Sequence, residues 1–165
     1  YLFFESYRLI NSYNNEDVSK LFNECCEQNK LASYGQYFDL FNQNLLNDRI
    51  SIDKINMKTS PFFIIAFMGG YLLGGGGSRS QDNLDILKKI GIAFSNFFQI
   101  YDDFDDVEKD SKKDNNINQV LPFGKEKAHA LFKKNVEIFY QNLDKLGINS
   151  DLMMEIVGYL EGKIN

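Results

Sequence analysis

A chain of 165 residues, 44% hydrophobic and 15% aromatic, can bury a core as one domain and is too apolar to be disordered. Its net charge of −5, from 23 acidic and 18 basic residues, offers no basic footprint for nucleic acid, so no nucleic-acid partner is expected. The adjacent Cys25 and Cys26 form neither a disulfide framework nor a zinc set, no leader or membrane-spanning run is visible, and the chain reads as cytoplasmic.

Apolar spacing is helical almost throughout, which predicts a single all-α domain over residues 1–165. Leu2–Ser12 reads as the end of a helix that opens without a cap. Together with Tyr1 in place of methionine, this predicts a chain that begins mid-protein and a first helix that packs on helices outside this sequence. Asn14-Asn15 closes it, and Glu16-Asp17 suits the first turn of a long helix running to about Asn47. Ser51-Ile52-Asp53 starts another, expected to bend at Ser60-Pro61 and to continue to Leu73, through the most apolar stretch of the chain. Gly74–Ser78 has linker composition and fits either a natural turn or an inserted one. Gln81 or Asp82 opens an acidic helix that ends near Asp110, and Ser111–Gln119 is a polar loop. Gly124 to about Leu146 and Ser150 to about Gly162 complete the helical set.

The acidic helix concentrates the chemistry. Behind Phe98-Gln99-Ile100-Tyr101 come four acids in five positions, Asp102, Asp103, Asp105 and Asp106, with no lysine among them. Wound at about 100° per residue, Phe97, Ile100, Tyr101, Phe104 and Val107 share an arc of roughly 120°, while Gln99, Asp102, Asp103, Asp106 and Asp110 share an opposite arc of roughly 100°. Converging carboxylates repel one another unless cations occupy them, and Mg²⁺, a hard ion that takes oxygen ligands and shares them with polyphosphate, suits the set.

Smaller constellations flank it. Gln36 and Asp39 lie three apart on the long helix, beside Gly35, and share a face. Lys58-Thr59 stands just before the proline bend. Gln99 lies three before Asp102, and Lys112 and Lys113 follow the aspartates closely enough to fold back over them. Taken singly, Gln36 with Asp39 fits a solvated polar face, Lys58 a surface lysine, and His129 a structural or exposed histidine with no nucleophile placed beside it.

Taken together, Gly35-Gln36-x-x-Asp39, Lys58-Thr59, Gly91 and Phe98-Gln99-Ile100-Tyr101-Asp102-Asp103-x-x-Asp106 resemble the trans-isoprenyl diphosphate synthases, the polyprenyl synthetase family. Phe123-Gly124-Lys125-Glu126-Lys127-Ala128 resembles the start of that family's next helix, so the likeness spans about residues 20–135. The resemblance implies an antiparallel bundle of the isoprenoid synthase type and a homodimer. It implies a prenyltransferase that condenses an allylic diphosphate with isopentenyl diphosphate, as in the making of geranyl, farnesyl and geranylgeranyl diphosphates. It makes Asp102, Asp103 and Asp106 the second of two aspartate-rich motifs, holding Mg²⁺ directly or through water. Lys58 then contacts the allylic diphosphate, Thr59 and Gln99 face the developing cation, and Gln36 and Asp39 line the cavity. Lys112 or Lys113 stands for the lysine that follows the motif.

No DDxxD-like run precedes residue 102, and the Arg-Arg pair that follows the family's first motif is missing too. The expectation is therefore the C-terminal part of a longer synthase. The alternatives are a non-catalytic partner subunit that modulates a complete synthase, a terpene cyclase, or an all-α scaffold without a ligand. The cyclase fits less well, because its late motif carries an Asn/Ser/Glu pattern where this chain has Asp-Asp-x-x-Asp.

Overall fold

The helical spacing becomes helix throughout. A computed structural model describes residues 2–12, 16–41, 48–76, 81–112, 118 and 120–164, with side chains at all of these except 2–3, 38–41, 48–56, 110 and 121–122. Among the described residues there is no strand, and no helix is long and apolar enough to cross a membrane. The Asn14-Asn15 turn, the end of the long helix at Asn47, Gly77-Ser78 and Lys113 lie outside the described residues, as does the side chain of Asp39.

Helix α1 (Leu2–Asn11) turns Tyr7 and Ile10 toward the core and leaves Phe4 75% and Leu9 51% exposed. Part of its apolar surface is thus covered from within the chain, where the sequence predicted packing on helices outside it. The Tyr7 ring meets Phe22 edge-on at 5.4 Å, and its hydroxyl donates to the Cys25 carbonyl at 3.3 Å.

Helix α2 (Glu16–Phe41) buries Val18, Leu21, Cys25, Gln28, Ala32 and Gly35, a run at alternating steps of three and four that makes one continuous stripe. Glu16 and Asp17 sit in its first turn, where the helix dipole favours negative charge. The stripe packs on α3 (Asp48–Leu73), which begins three residues earlier than expected and runs through Pro61 as one helix. Pro61 is itself buried; its ring nitrogen has no hydrogen to offer the Met57 carbonyl one turn back, so tertiary packing holds the helix where local bonding is weakest.

Helix α4 (Gln81–Asp105) lies along α3, and α5 (Val107–Asp110) follows after a single turn residue, so the acidic helix is interrupted at Asp106. Two further helices, the short α6 (Val120–Phe123) and α7 (Lys125–Lys145), bring the chain back over α4, and α8 (Asp151–Ile164) closes the end. The sequence pattern did not show α6.

Paired contacts fix the directions. Gly35 meets Met57 and Lys58 while Gly69 faces Leu21, so α2 and α3 are antiparallel. Gly91 meets Ile64 while the Asn83 amide donates to the Tyr71 hydroxyl at 3.0 Å, so α3 and α4 are antiparallel too. The Asn96 amide donates to Asn135 Oδ1 at 3.0 Å, and Phe94 meets Phe139 at 5.6 Å, which sets α7 antiparallel to α4. Phe67, Phe94, Phe97, Phe132 and Phe139 interlock with ring centroids between 4.8 and 5.9 Å apart and form the centre of the core. Lys88 reaches Glu24 at 3.0 Å and ties α4 to α2 across α3.

Both glycine contacts are tight. A Cβ at Gly91 would lie 2.8 Å from the Ile64 backbone. Gly91→Ala should therefore destabilise the fold by about 1–3 kcal/mol, although alanine is the better helix former. Gly158 in α8 has open space around it, so Gly158→Ala should stabilise by up to about 1 kcal/mol. Chemical denaturation of the two variants checks the contrast; equal shifts would mean that α4 does not depend on its close approach to α3.

Candidate active site

The candidate residues occupy one end of the bundle. A Cβ on Gly35 would lie 2.4 Å from the Lys58 nitrogen and 2.6 Å from the Met57 carbonyl carbon, so only glycine lets α2 come this close. That approach sets Gln36 directly beside Lys58-Thr59. The three residues line a cleft of about 630 Å³ with Asn29, Ala32, Ser33 and Phe62. Gln36 is exposed, Lys58 and Thr59 are half-buried, and Phe62 stands 56% exposed at the rim.

The floor of the cleft is anchored to α1. Asn29 Nδ2 donates to the Tyr7 hydroxyl at 2.6 Å and to the Cys25 carbonyl at 2.8 Å. Burial pushes the Tyr7 phenol above its ordinary pKa and the Cys25 thiol up to about 11, and the neighbouring Cys26 adds to both shifts. Cys26 itself is exposed.

The aspartates stand further along the same end. Gly91 is level with Ile64, so the antiparallel register sets Lys58 level with about Phe97, and Gln99 about 3 Å beyond it along the axis. Phe63 and Phe94, with rings 4.9 Å apart, agree with this register to within about two residues. Asp102 follows about 8 Å beyond the Lys58 level at 1.5 Å per residue.

The carboxylates do not share one environment. Asp102 is exposed, and Asp106 is half-buried and paired with Lys109 Nζ at 3.2 Å. Asp103 is only 6% exposed. Its Oδ1 accepts from Gln99 Nε2 at 3.2 Å, and its main-chain carbonyl accepts from Asn118 Nδ2 at 2.6 Å. The helical wheel placed Asp103 on the same arc as Asp102 and Asp106, whereas the structure turns it inward. The reason lies in the partners of α4. Its buried residues end in the three-step run Phe97, Ile100, Asp103, and Asn118, just ahead of α6, covers the last of them. Asn118 escaped the sequence reading. Its signal was an asparagine two residues ahead of an apolar helix start, a position suited to side-chain bonding with the backbone.

Among the described residues no three His, Cys, Asp or Glu side chains come together as a cation cage. Asp102 in the last turn of α4 and Asp106 in the turn just after it still make a donor set that suits Mg²⁺, which is bound through one or two carboxylates when phosphate oxygens and water complete its shell. Lys112 is exposed just past α5. A second cavity of about 470 Å³ opens on another face of α3, lined by Phe63, Phe67, Phe94, Leu143, Met153 and Ile156. It is apolar, whereas the Lys58 cleft carries the polar groups able to bind an anion.

A family model described as polyprenyl synthetase matches residues 1–119, more than half of the chain. Comparison with curated proteins and with solved structures gave no match.

The burial contrast between the two thiols beside the cleft gives a direct test. Near neutral pH, iodoacetamide should modify Cys26 in the native chain, and Cys25 only on unfolding, because Cys25 is both buried and held as the neutral thiol. Equal rates by mass spectrometry would mean that α1 does not cover α2 at the cleft floor.

Proposed function

The chain belongs to the polyprenyl synthetase family, and from that membership we propose that it transfers prenyl groups, joining an allylic diphosphate to isopentenyl diphosphate. The observation that carries the reading is the convergence of Gln36, Lys58 and Thr59 in one cleft, with Gln99 and the aspartates at the same end of the bundle.

The reaction breaks an allylic C–O bond heterolytically, and the bonding pair leaves with diphosphate. The π pair of the isopentenyl double bond attacks the cation and forms a C–C bond. A proton then leaves the neighbouring carbon, a diphosphate oxygen takes it, and a double bond is restored. Lys58, half-buried where charge is poorly screened, binds the departing anion. Thr59, next to it, turns its hydroxyl oxygen toward the cation. The Gln99 amide nitrogen is engaged by Asp103, which leaves its oxygen to face the same positive charge. Phe62, Phe63 and Phe98 surround this end of α3 with aromatic surface and exclude water that would quench the cation. Asp102 and Asp106 would hold Mg²⁺, with Asp103 supporting them through Gln99 and through water; when bound, the ion supplies Lewis-acid neutralisation of the diphosphate. Asp39, on the same helix as Gln36, supports that shell.

A second reading, a non-catalytic subunit that binds and modulates a complete synthase, draws on one observation: no three carboxylates gather among the described residues. Product formation from an allylic diphosphate and isopentenyl diphosphate with Mg²⁺ separates the two. Binding of the substrates without turnover would favour the subunit.

If the catalytic reading holds, Asp102→Ala should lower kcat about a hundredfold or more, the usual scale for losing a group that stabilises developing charge. Lys58→Ala should raise KM for the allylic substrate and lower kcat, leaving KM for isopentenyl diphosphate nearly unchanged. Near-normal kinetics of either variant would remove that residue from the mechanism.

A further inference from the structure

Helix α4 ends at Asp105, and the carbonyls of its last turn need partners from outside the helix. The Asp102 carbonyl takes the Asp106 amide at 3.0 Å. The Asp103 carbonyl takes the side-chain amide of Asn118 at 2.6 Å. The same side chain works at a second helix end, because Asn118 Oδ1 accepts the Val120 N–H at 3.0 Å where α6 begins. Asn118 is only 3% exposed, so this amide spans two helix termini in a site closed to water. A charge-neutral bond of this kind gains strength when buried, and its loss would take a buried bond from the Asp103 carbonyl.

The position of the bond matters more than its strength. Asp103 lies between Asp102 and the turn residue Asp106, whose φ of −93° and ψ of 3° depart from helical values. The side-chain directions of Asp102 and Asp106 depend on how that last turn is held. Gln99 fixes the Asp103 carboxylate from one side and Asn118 fixes its peptide from the other. The chain beyond Asn118 is secured in turn, since the Gly124 amide closes α6 on the Val120 carbonyl at 2.9 Å and Asn135 of α7 bonds Asn96 of α4.

We propose that Asn118 is a positioning residue for the aspartate turn: it holds the Asp103 peptide so that the Asp102 and Asp106 carboxylates stay directed at one cation. The inference rests on the prenyltransferase reading, in which these carboxylates meet Mg²⁺ and diphosphate. The role assigned to Asn118 is exerted through Asp103, with no contact to substrate or ion required.

Two variants and two readouts test it. Asn118→Ala removes both bonds. Asn118→Asp keeps an acceptor for Val120 N–H and removes the donor to Asp103. In each, the Mg²⁺ concentration giving half of the diphosphate-induced rise in melting temperature should increase about tenfold or more, the scale on which residues supporting a metal ligand act. KM for isopentenyl diphosphate should stay near the wild-type value. Amide exchange at Asp106 in the metal-free chain should speed up in both variants, which reports the turn without any reaction. Variants that melt earlier but keep wild-type Mg²⁺ dependence and wild-type exchange at Asp106 would overturn the proposal and leave Asn118 a purely structural tie. An Asn118→Asp variant indistinguishable from wild type would overturn it as well. Should the wild-type protein show no response to Mg²⁺ with diphosphate, the prenyltransferase reading itself falls, and the inference built on it falls too.

Discussion

The closeness of two helices to α3 governs the rest of the molecule. Gly35 on one side and Gly91 on the other sit where any larger residue would strike the α3 backbone, within 2.4 Å at Lys58 and 2.8 Å at Ile64. Two contacts about one and a half turns apart on the same helix fix both its neighbours in register. The cleft then follows without further instruction. Gln36 is next to Gly35 and Lys58 is the residue Gly35 touches, so the polar groups meet because the backbones do. The interlocked phenylalanines behind them supply burial, but rings would pack in several registers; it is the missing Cβ atoms that select one.

Pro61 takes on meaning in that frame. A proline inside a helix removes a bond and is usually a cost. Here it falls one turn after Met57, at the stretch where α2 comes closest. The helix is held there by neighbours on both sides and does not rely on its own ladder. Local weakness in α3 and close packing against α2 thus coincide at the turn that carries Lys58 and Thr59.

Much of this was legible in advance, because helical spacing survives in a single sequence. Val18, Leu21, Cys25, Gln28 and Ala32 repeat at three and four, and α2 appears where that repeat says. The order of Gly35-Gln36, Lys58-Thr59 and the aspartate run likewise carried the family before any coordinates. The fate of Asp103 was not legible. A helical wheel assumes one buried face from end to end, whereas the buried residues of α4 end in the three-step run Phe97, Ile100, Asp103, so its buried stripe drifts round the axis. Neither could a wheel show Asn118, which belongs to a different stretch of chain and meets Asp103 only in three dimensions. The family resemblance marked Gly91 as part of a pattern, but the reason for glycine there is the backbone of Ile64.

One surface detail bears on how the acidic end behaves when nothing is bound. Asp106 and Lys109, a turn apart, already neutralise each other at 3.2 Å, with the lysine 67% exposed. A pair so open to water is worth little. Under the proposed reading, a divalent ion arriving at Asp106 would displace an ammonium that is only loosely held, so loading there would be an exchange of one cation for another.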